Sequence, residues 1–222
     1  MAMAGYRKAG DLPGVVPVFP LDGALLLPGG VLPLQIFEPR YLNMIDDSMA
    51  GDRIIGMIQT RGEGDRIAPA LARVGCAGRI TSYSETGDGK YLIALTGLCR
   101  FSVASEIAAP KPYRQVRAEF GPFEADLQSD AEAEAFDRAP FLELLRRYLD
   151  NRGLGVEWEV VNAAPAPALI NSLCMALPFA PLEKQALLEA ADLDGRRAVL
   201  AALLEIDSVG GVSDDDPPRP LQ

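Results

Sequence analysis

The chain of 222 residues contains no histidine. That absence excludes Ser-His-Asp and Cys-His nucleophilic catalysis, and every metal site built on imidazole. Cysteine is scarce. Cys76, Cys99 and Cys174 form an odd, widely spaced set without a CxxC pair. A disulfide framework or zinc knuckle does not fit that pattern; three buried apolar thiols in a reducing compartment do. Long apolar runs are also missing. The most apolar stretch, residues 21–37, is cut by Asp22, Gly23, Pro28, Gly29, Gly30 and Pro33. A membrane helix needs about 20 unbroken apolar residues. No apolar segment follows Arg7 and Lys8, so no secretory signal is read. There is no GxxxxGK[ST] loop, and Gly62-Glu63-Gly64 is too short and wrongly flanked to cradle phosphates. The expected setting is cytoplasmic.

What is present is ordinary globular material. Hydrophobic residues make up 49% and charged residues 23%, enough to bury a core in one large domain or two small ones. The formal net charge is −10, and it is unevenly spread. Residues 1–120 hold 13 Lys+Arg against 12 Asp+Glu, whereas residues 121–222 hold 8 against 19. An acidic second half argues against tight binding to a phosphate backbone, and the near-neutral first half has no dense Lys/Arg run with interleaved aromatics.

The pattern changes near residue 121. Residues 1–13 read as a flexible leader. Short strands are expected at 15–19 and 31–37, with Pro33 demanding an edge, a bulge or a strand start. Glu38-Pro39-Arg40-Tyr41 opens a short helix, since proline suits a first turn, and Tyr41, Leu42 and Ile45 share its apolar face. Further strands are expected at 53–59, 71–84, 90–95, 99–106 and 113–120. Gly75 and Gly78 mark a bend, Gly87-Asp88-Gly89 a hairpin, and Gly97 an interruption. Roughly seven strands and one small helix imply a compact, partly closed barrel over 14–120.

Residues 121–207 read as a helical bundle. Ser129 and Glu132 fit a capping box, and Pro140 is expected to kink or split the helix that follows. Phe141, Leu144, Leu145, Tyr148 and Leu149 form a stripe ended by Gly153. Trp158, Val160 and Val161 are placed in a connection. Pro165 starts a helix carrying Leu169, Ile170, Leu173, Cys174 and Leu177, and Pro178 stops it. Pro181 opens another with Leu182, Leu187 and Leu188. Asp192 or Asp194 caps a last one with Leu193, Leu200, Leu203, Leu204 and Ile206. Residues 208–222, rich in Gly, Asp and Pro, read as a disordered acidic tail.

Several segments, taken in order, resemble the N-terminal, substrate-binding domain of the Lon protease family. Val18-Phe19-Pro20-Leu21, Leu27-Pro28-Gly29, Leu32-Pro33-Leu34 and Ile36-Phe37-Glu38-Pro39-Arg40-Tyr41 follow its opening pattern. Val74-Gly75, Asp88-Gly89 and Gly97-Leu98-Cys99-Arg100-Phe101 match its later hairpin. Ser172-Leu173, Leu177-Pro178, Glu183-Lys184-Gln185, Leu187-Leu188-Glu189 and Arg196 match its terminal helices. The resemblance runs from about residue 14 to 207. It implies an α+β fold, with an N-terminal PUA-like β-barrel followed by a C-terminal α-helical bundle. The ATPase module and Ser-Lys protease domain of Lon proteases have no counterpart here, so the chain reads as a free-standing recognition domain and not an enzyme.

Candidate sites are weighed against structural roles. Glu38 and Arg40 lack an acid–base partner, and a favourable place beside a helix N-terminus with local pairing explains them better. Phe37 and Tyr41 read as core, with an apolar groove as the other possibility. Phe37, Glu38, Arg40 and Tyr41 are therefore the only binding residues put forward. Asp46-Asp47 and Glu132/Glu134 read as solvated helix charges rather than metal ligands. Ser172 and Lys184 have no spacing that makes them a dyad. No catalytic residue, metal or cofactor is expected. The leading function is a non-catalytic module that binds polypeptide segments or unfolded proteins, acting as adaptor or regulator for a protease or chaperone in protein quality control. An RNA-binding barrel and a small-molecule site at the barrel–bundle seam are the alternatives.

Overall fold

The computed structural model describes residues 5–62, 69–108, 110–128 and 137–210, with the side chains of 207–210 excepted. Among them are six strands: β1 (Val15–Pro20), β2 (Val31–Ile36), β3 (Ile54–Ile58), β4 (Val74–Glu85), β5 (Tyr91–Ile107) and β6 (Arg114–Glu119). Helix α1 (Pro39–Ala50) lies between β2 and β3. The others follow the strands: α2 (Arg138–Arg152), α3 (Trp158–Ala163), α4 (Ala166–Ala176), α5 (Pro181–Glu189) and α6 (Leu193–Gly210). The architecture is α+β. The strands form one mixed sheet in the order β2-β5-β4-β3-β1-β6, in which only β1 and β3 run parallel. Strand β5 also pairs with β6, so the pairings β5–β4–β3–β1–β6 return to β5.

Two apolar cores result. The smaller gathers Val16, Val18, Ile54, Ile58, Leu98, Phe101, Val116 and Phe120 from four strands and the loop after β6. The larger sits between the other face of those strands and the helices, where Ile55 and Met57 meet Leu145, Ile170, Leu187 and Leu200. This explains why β3 is an unbroken apolar run. All five of its residues are buried, because each face of the strand serves a different core.

Six strands replace the expected seven. The segments read as 90–95 and 99–106 are one strand, and Gly97 does not interrupt it. Gly97 is in the strand because the backbone of Leu27 crosses directly over it. Its N–H donates to Gly30 O at 2.8 Å, and its carbonyl accepts from Gly29 N at 3.0 Å. The expected bend in β4 is present as register slips between Ala77 and Gly78 and between Ile80 and Ser82. Strand β2 pairs with β5 alone, which places Pro33 at a sheet edge, where its missing N–H does no harm.

The leader is held over its described part. Leu12 is buried in the smaller core, Arg79 donates to Tyr6 Oη, and Ala9 N donates to Glu124 at 2.8 Å. Pro140 does not split a helix. Asp137 caps α2 by accepting from Ala139 N, and Pro140 falls in the first turn, where no intrahelical bond is lost. The Ser129–Glu132 capping box and the pair Glu132/Glu134 lie outside the described residues. Gly153 ends α2 in the left-handed conformation (φ 63°). Trp158 opens α3 rather than lying in a connection, with the Arg146 guanidinium 4.6 Å from its ring centre.

Leu182 and Ile206 are exceptions to their stripes, at 83% and 67% exposure. At 100° per residue Leu182 lies about 140° and about 120° from Leu187 and Leu188, outside the buried face. Asp192, not Asp194, caps α6, accepting from Gly195 N at 2.8 Å. That helix runs to Gly210, past Ser208 where the tail was expected to begin; 211–222 lie outside the described residues.

The β4–β5 hairpin closes through Thr86 N to Lys90 O at 2.8 Å. At its tip the Lys90 ammonium, 2.6 Å away, and then the Thr86 hydroxyl hold the Asp88 carboxyl down to about 2. A depressed carboxyl favours the folded tip above its ordinary value of 3.8, and that contribution fades as the pH falls through about 2. A carboxyl-carbon NMR titration is expected to find the Asp88 midpoint near 2 and to find it back toward 3.8 in Lys90→Ala. An unmoved midpoint in that variant would reject the Lys90 contact.

Candidate functional site

The sequence-predicted residues cluster at the head of α1. Phe37, expected in the core, is 61% exposed. Ile36 before it points inward at 1% exposure, and strand alternation turns the next residue outward. Glu38 occupies the N-cap position of α1, but its carboxylate does not bond the helix amides. It accepts instead from Arg40, at 2.9 Å from Nε and 2.8 Å from Nη2. Arg40 also lies over the Tyr41 ring, 4.5 Å from its centre. Tyr41 is core as expected, with its ring edge-on to Phe19 at 4.2 Å.

Arg40 and Tyr41 line a cleft of about 220 Å³ with Pro20, Thr60, Pro69, Pro112, Tyr113 and Arg114. These residues come from the end of β1, the start of α1, the β3–β4 connection, the loop before β6 and the first residue of β6. Asp22 fixes Thr60, accepting from its N–H at 2.7 Å. Arg114 is held by a two-point bond to Glu106 at 2.6 Å and donates to Pro69 O at 2.8 Å. That guanidinium keeps the Glu106 carboxyl below its ordinary range. Tyr113 Oη donates to Asp47 at 2.6 Å, and Lys111 Nζ donates to the same carboxylate at 2.8 Å. Asp46 accepts from Tyr91 Oη at 2.9 Å. Asp46 and Asp47 are thus tethers that pin α1 to the sheet. Thr60, Pro112 and Arg114 were not found from sequence, because no spacing signal links them to residue 40.

A second surface adjoins this one. Cross-strand partners share a face, so Val31, Pro33 and Gln35 of β2 lie beside Thr96, Ala94 and Leu92 of β5, with Ser82 and Ser84 of β4 beyond. The residues named carry no charge, and Arg79 of β4, the cross-strand partner of Thr96, brings one cation to the end of this face. Val31 is 58% exposed and Leu92 45%.

Buried polar groups join the strands to the helices. Arg100 on β5 makes a two-point ion pair with Asp126, both bonds 2.8 Å, and also donates to the carbonyls of Leu188, Ala190 and Ala191 at the end of α5. Its guanidinium lies 4.6 Å from the Phe123 ring centre. Arg196 donates to Leu187 O and Asn171 Oδ1, both at 3.0 Å, and Asn171 donates to Pro28 O. Burial, followed by the nearby Arg100 charge, lowers the Arg196 pKa. Gln59 donates to Pro181 O and Gln185 Oε1. Lys184 is buried and donates to Met175 O, and its burial lowers its pKa, while Ser172 is exposed; the two form no dyad. All three cysteines are free and buried, and burial pushes Cys99 and Cys174 up to about 12. Such thiols are poor nucleophiles. Among the described residues no group of three or more His, Cys, Asp or Glu side chains is placed to hold a metal, and no helix is long and apolar enough to cross a membrane.

The fold is that of an α+β domain, a mixed sheet with helices packed after it and a small cleft at the head of α1. The family model of the ATP-dependent protease La (LON) substrate-binding domain matches residues 15–205, and the chain belongs to that family. It is 30% identical to Lon protease 2 of Myxococcus xanthus over 209 residues, covering 92% of this chain and 25% of that protein. It is 29% identical to the Lon protease of Anaeromyxobacter dehalogenans over 199 residues, covering 87% and 23%. The chain therefore spans about a quarter of the length of these relatives. Among solved structures it resembles a Lon N-terminal domain protein from Xanthomonas campestris, with a TM-score of 0.60, 22% identity and coverage of 86% of this chain and 97% of that one. It also resembles the N-terminal domain of a Mycobacterium avium complex Lon protease, with a TM-score of 0.57, 20% identity and coverage of 88% and 98%. These two likenesses bear on the fold.

Proposed function

We propose that this chain is a non-catalytic recognition module for polypeptide segments and unfolded proteins, working as an adaptor or regulator in protein quality control. The carrying observation is the open face of β2, β5 and β4, with the apolar side chains of Val31 and Leu92 exposed to solvent. An extended sheet face with exposed apolar side chains suits apolar stretches of many sequences, since shape and burial select them. Phe37, Glu38, Arg40 and Tyr41 extend this surface toward the cleft. The circle of strand pairings supports a PUA-like barrel for residues 14–120, with the helices of 121–207 packed on it. Three free, buried thiols suit a reducing cytoplasm.

The test is fluorescence anisotropy with a reduced, carboxymethylated protein that cannot refold. The expected result is saturable binding, weakened about tenfold, or 1.4 kcal/mol, by Val31→Asp with Leu92→Asp. Both side chains are at the surface, so folding should survive, which circular dichroism checks. No binding by the wild-type chain, or unchanged binding by the folded double variant, rejects the proposal.

A further inference from the structure

The cleft at the head of α1 has a chemistry distinct from the open sheet face. Three prolines, Pro20, Pro69 and Pro112, give it apolar walls, while Arg40 and Arg114 supply two cations. Among the described residues no carboxylate belongs to the lining; Glu38 and Glu106 hold these arginines from outside it. Tyr41 adds a phenol. The residue is 6% exposed, and its hydroxyl has no hydrogen-bond partner among the described residues. The hydroxyl is not sealed in the core, and at the cleft wall it can donate to an acceptor from outside. Burial raises the Tyr41 pKa, which keeps the group protonated as a donor at neutral pH.

Arg40 is the more available cation. Its ion pair with Glu38 joins side chains 50% and 44% exposed. Such pairs are worth little, so the guanidinium can take up a second carboxylate cheaply. Arg114 has its donors engaged by Glu106 and Pro69 and contributes positive field. The size of the cleft, about 220 Å³, is below the range of drug-sized ligand pockets and fits a single amino-acid residue. A chain of net charge −10 repels polyanions at long range, whereas a peptide end brings one negative charge.

We propose that this cleft captures the free C-terminal carboxylate of a polypeptide, taken between the Arg40 guanidinium and Tyr41 Oη, with the last apolar side chain against the prolines. Capture of a chain terminus by a fork donor and a hydroxyl is a sound use of charge-assisted hydrogen bonds. The inference rests on the polypeptide-recognition reading, and it adds which part of the polypeptide the cleft takes.

The experiment uses the full chain and an uncharged ten-residue peptide ending in Val, labelled at its N-terminus. It is prepared as the free acid, as the C-terminal amide, and as an amide with Glu in place of Val. The free acid is expected to bind about tenfold more tightly than either amide. Tyr41→Phe, which keeps the buried ring, and Arg40→Gln should each bring the acid-to-amide ratio close to one. Equal binding of acid and amide, or a ratio unmoved in both folded variants, overturns carboxylate capture. An amidated Glu peptide that binds as well as the free acid assigns the cleft to acidic side chains and also overturns it. If the carboxymethylated protein still binds through Val31 and Leu92 in those cases, the recognition reading stands alone; if neither probe binds, both fall.

Discussion

Arg100→Met is expected to cost about 3–5 kcal/mol of unfolding free energy, read from urea denaturation of the purified chain. The side chains of Arg100 and Asp126 are 4% and 9% exposed, so their ion pair is screened little by water. Methionine fills much of the arginine volume and isolates the electrostatic loss. It leaves the Asp126 carboxylate buried without its partner, and it strips donors from three carbonyls at the end of α5. Those carbonyls are the ones a helix cannot satisfy internally. Adding Asp126→Leu should recover much of the loss, because the stranded charge and not the absent pair is what destabilises. A loss under about 1 kcal/mol for Arg100→Met would mean that water reaches the pair and that it adds little to the joining of strands and helices.

Gly97→Ala should be of comparable severity, about 3 kcal/mol, for a different reason. A Cβ at this position would run into the Leu27 carbonyl oxygen and stand 2.8 Å from its carbonyl carbon. Backbone cannot rotate aside as a long side chain would. Either β5 or the 25–30 segment must move, breaking the bonds that join Gly97 to Gly29 and Gly30. Gly121→Ala is the control: a Cβ there meets nothing within 4 Å, and stability should change by less than about 0.5 kcal/mol. Equal melting of the two variants would show that the 25–30 segment does not press on β5.

These two residues also mark where reading the sequence stops. Gly97 looks like a strand breaker in isolation, since glycine weakens a strand and offers nothing to pack. Its place in a continuous β5 follows only from the chain that crosses above it. Arg100 and Arg196 were legible as parts of a family resemblance, but not as buried cations, because spacing carries no sign of whether a charge will meet its partner. Phe37 and Tyr41 show the same limit at close range. Both are aromatic, four residues apart, and read alike; Phe37, just past the end of β2, is in solvent, and Tyr41 is in the core because the first turn of α1 sets a new phase. Arg40 and Tyr41 were read from the helix start, whereas Arg114, from a strand more than seventy residues later, joins them only by tertiary folding.

What the sequence determined by itself is what short-range chemistry controls. Proline at the heads of α1 and α5 and before α4, glycine at the end of α2, the glycine-rich turn of the β4–β5 hairpin and the apolar stripes of the helices act within a turn or two of the chain. The tertiary structure decided the rest: the return of the strand pairings to β5, the two cores that share β3, the ion pair that joins strands to helices, and the cleft with its unpartnered phenol. Each of these depends on residues far apart in sequence meeting at atomic contact, and that proximity is fixed by packing and pairing geometry rather than by local preference.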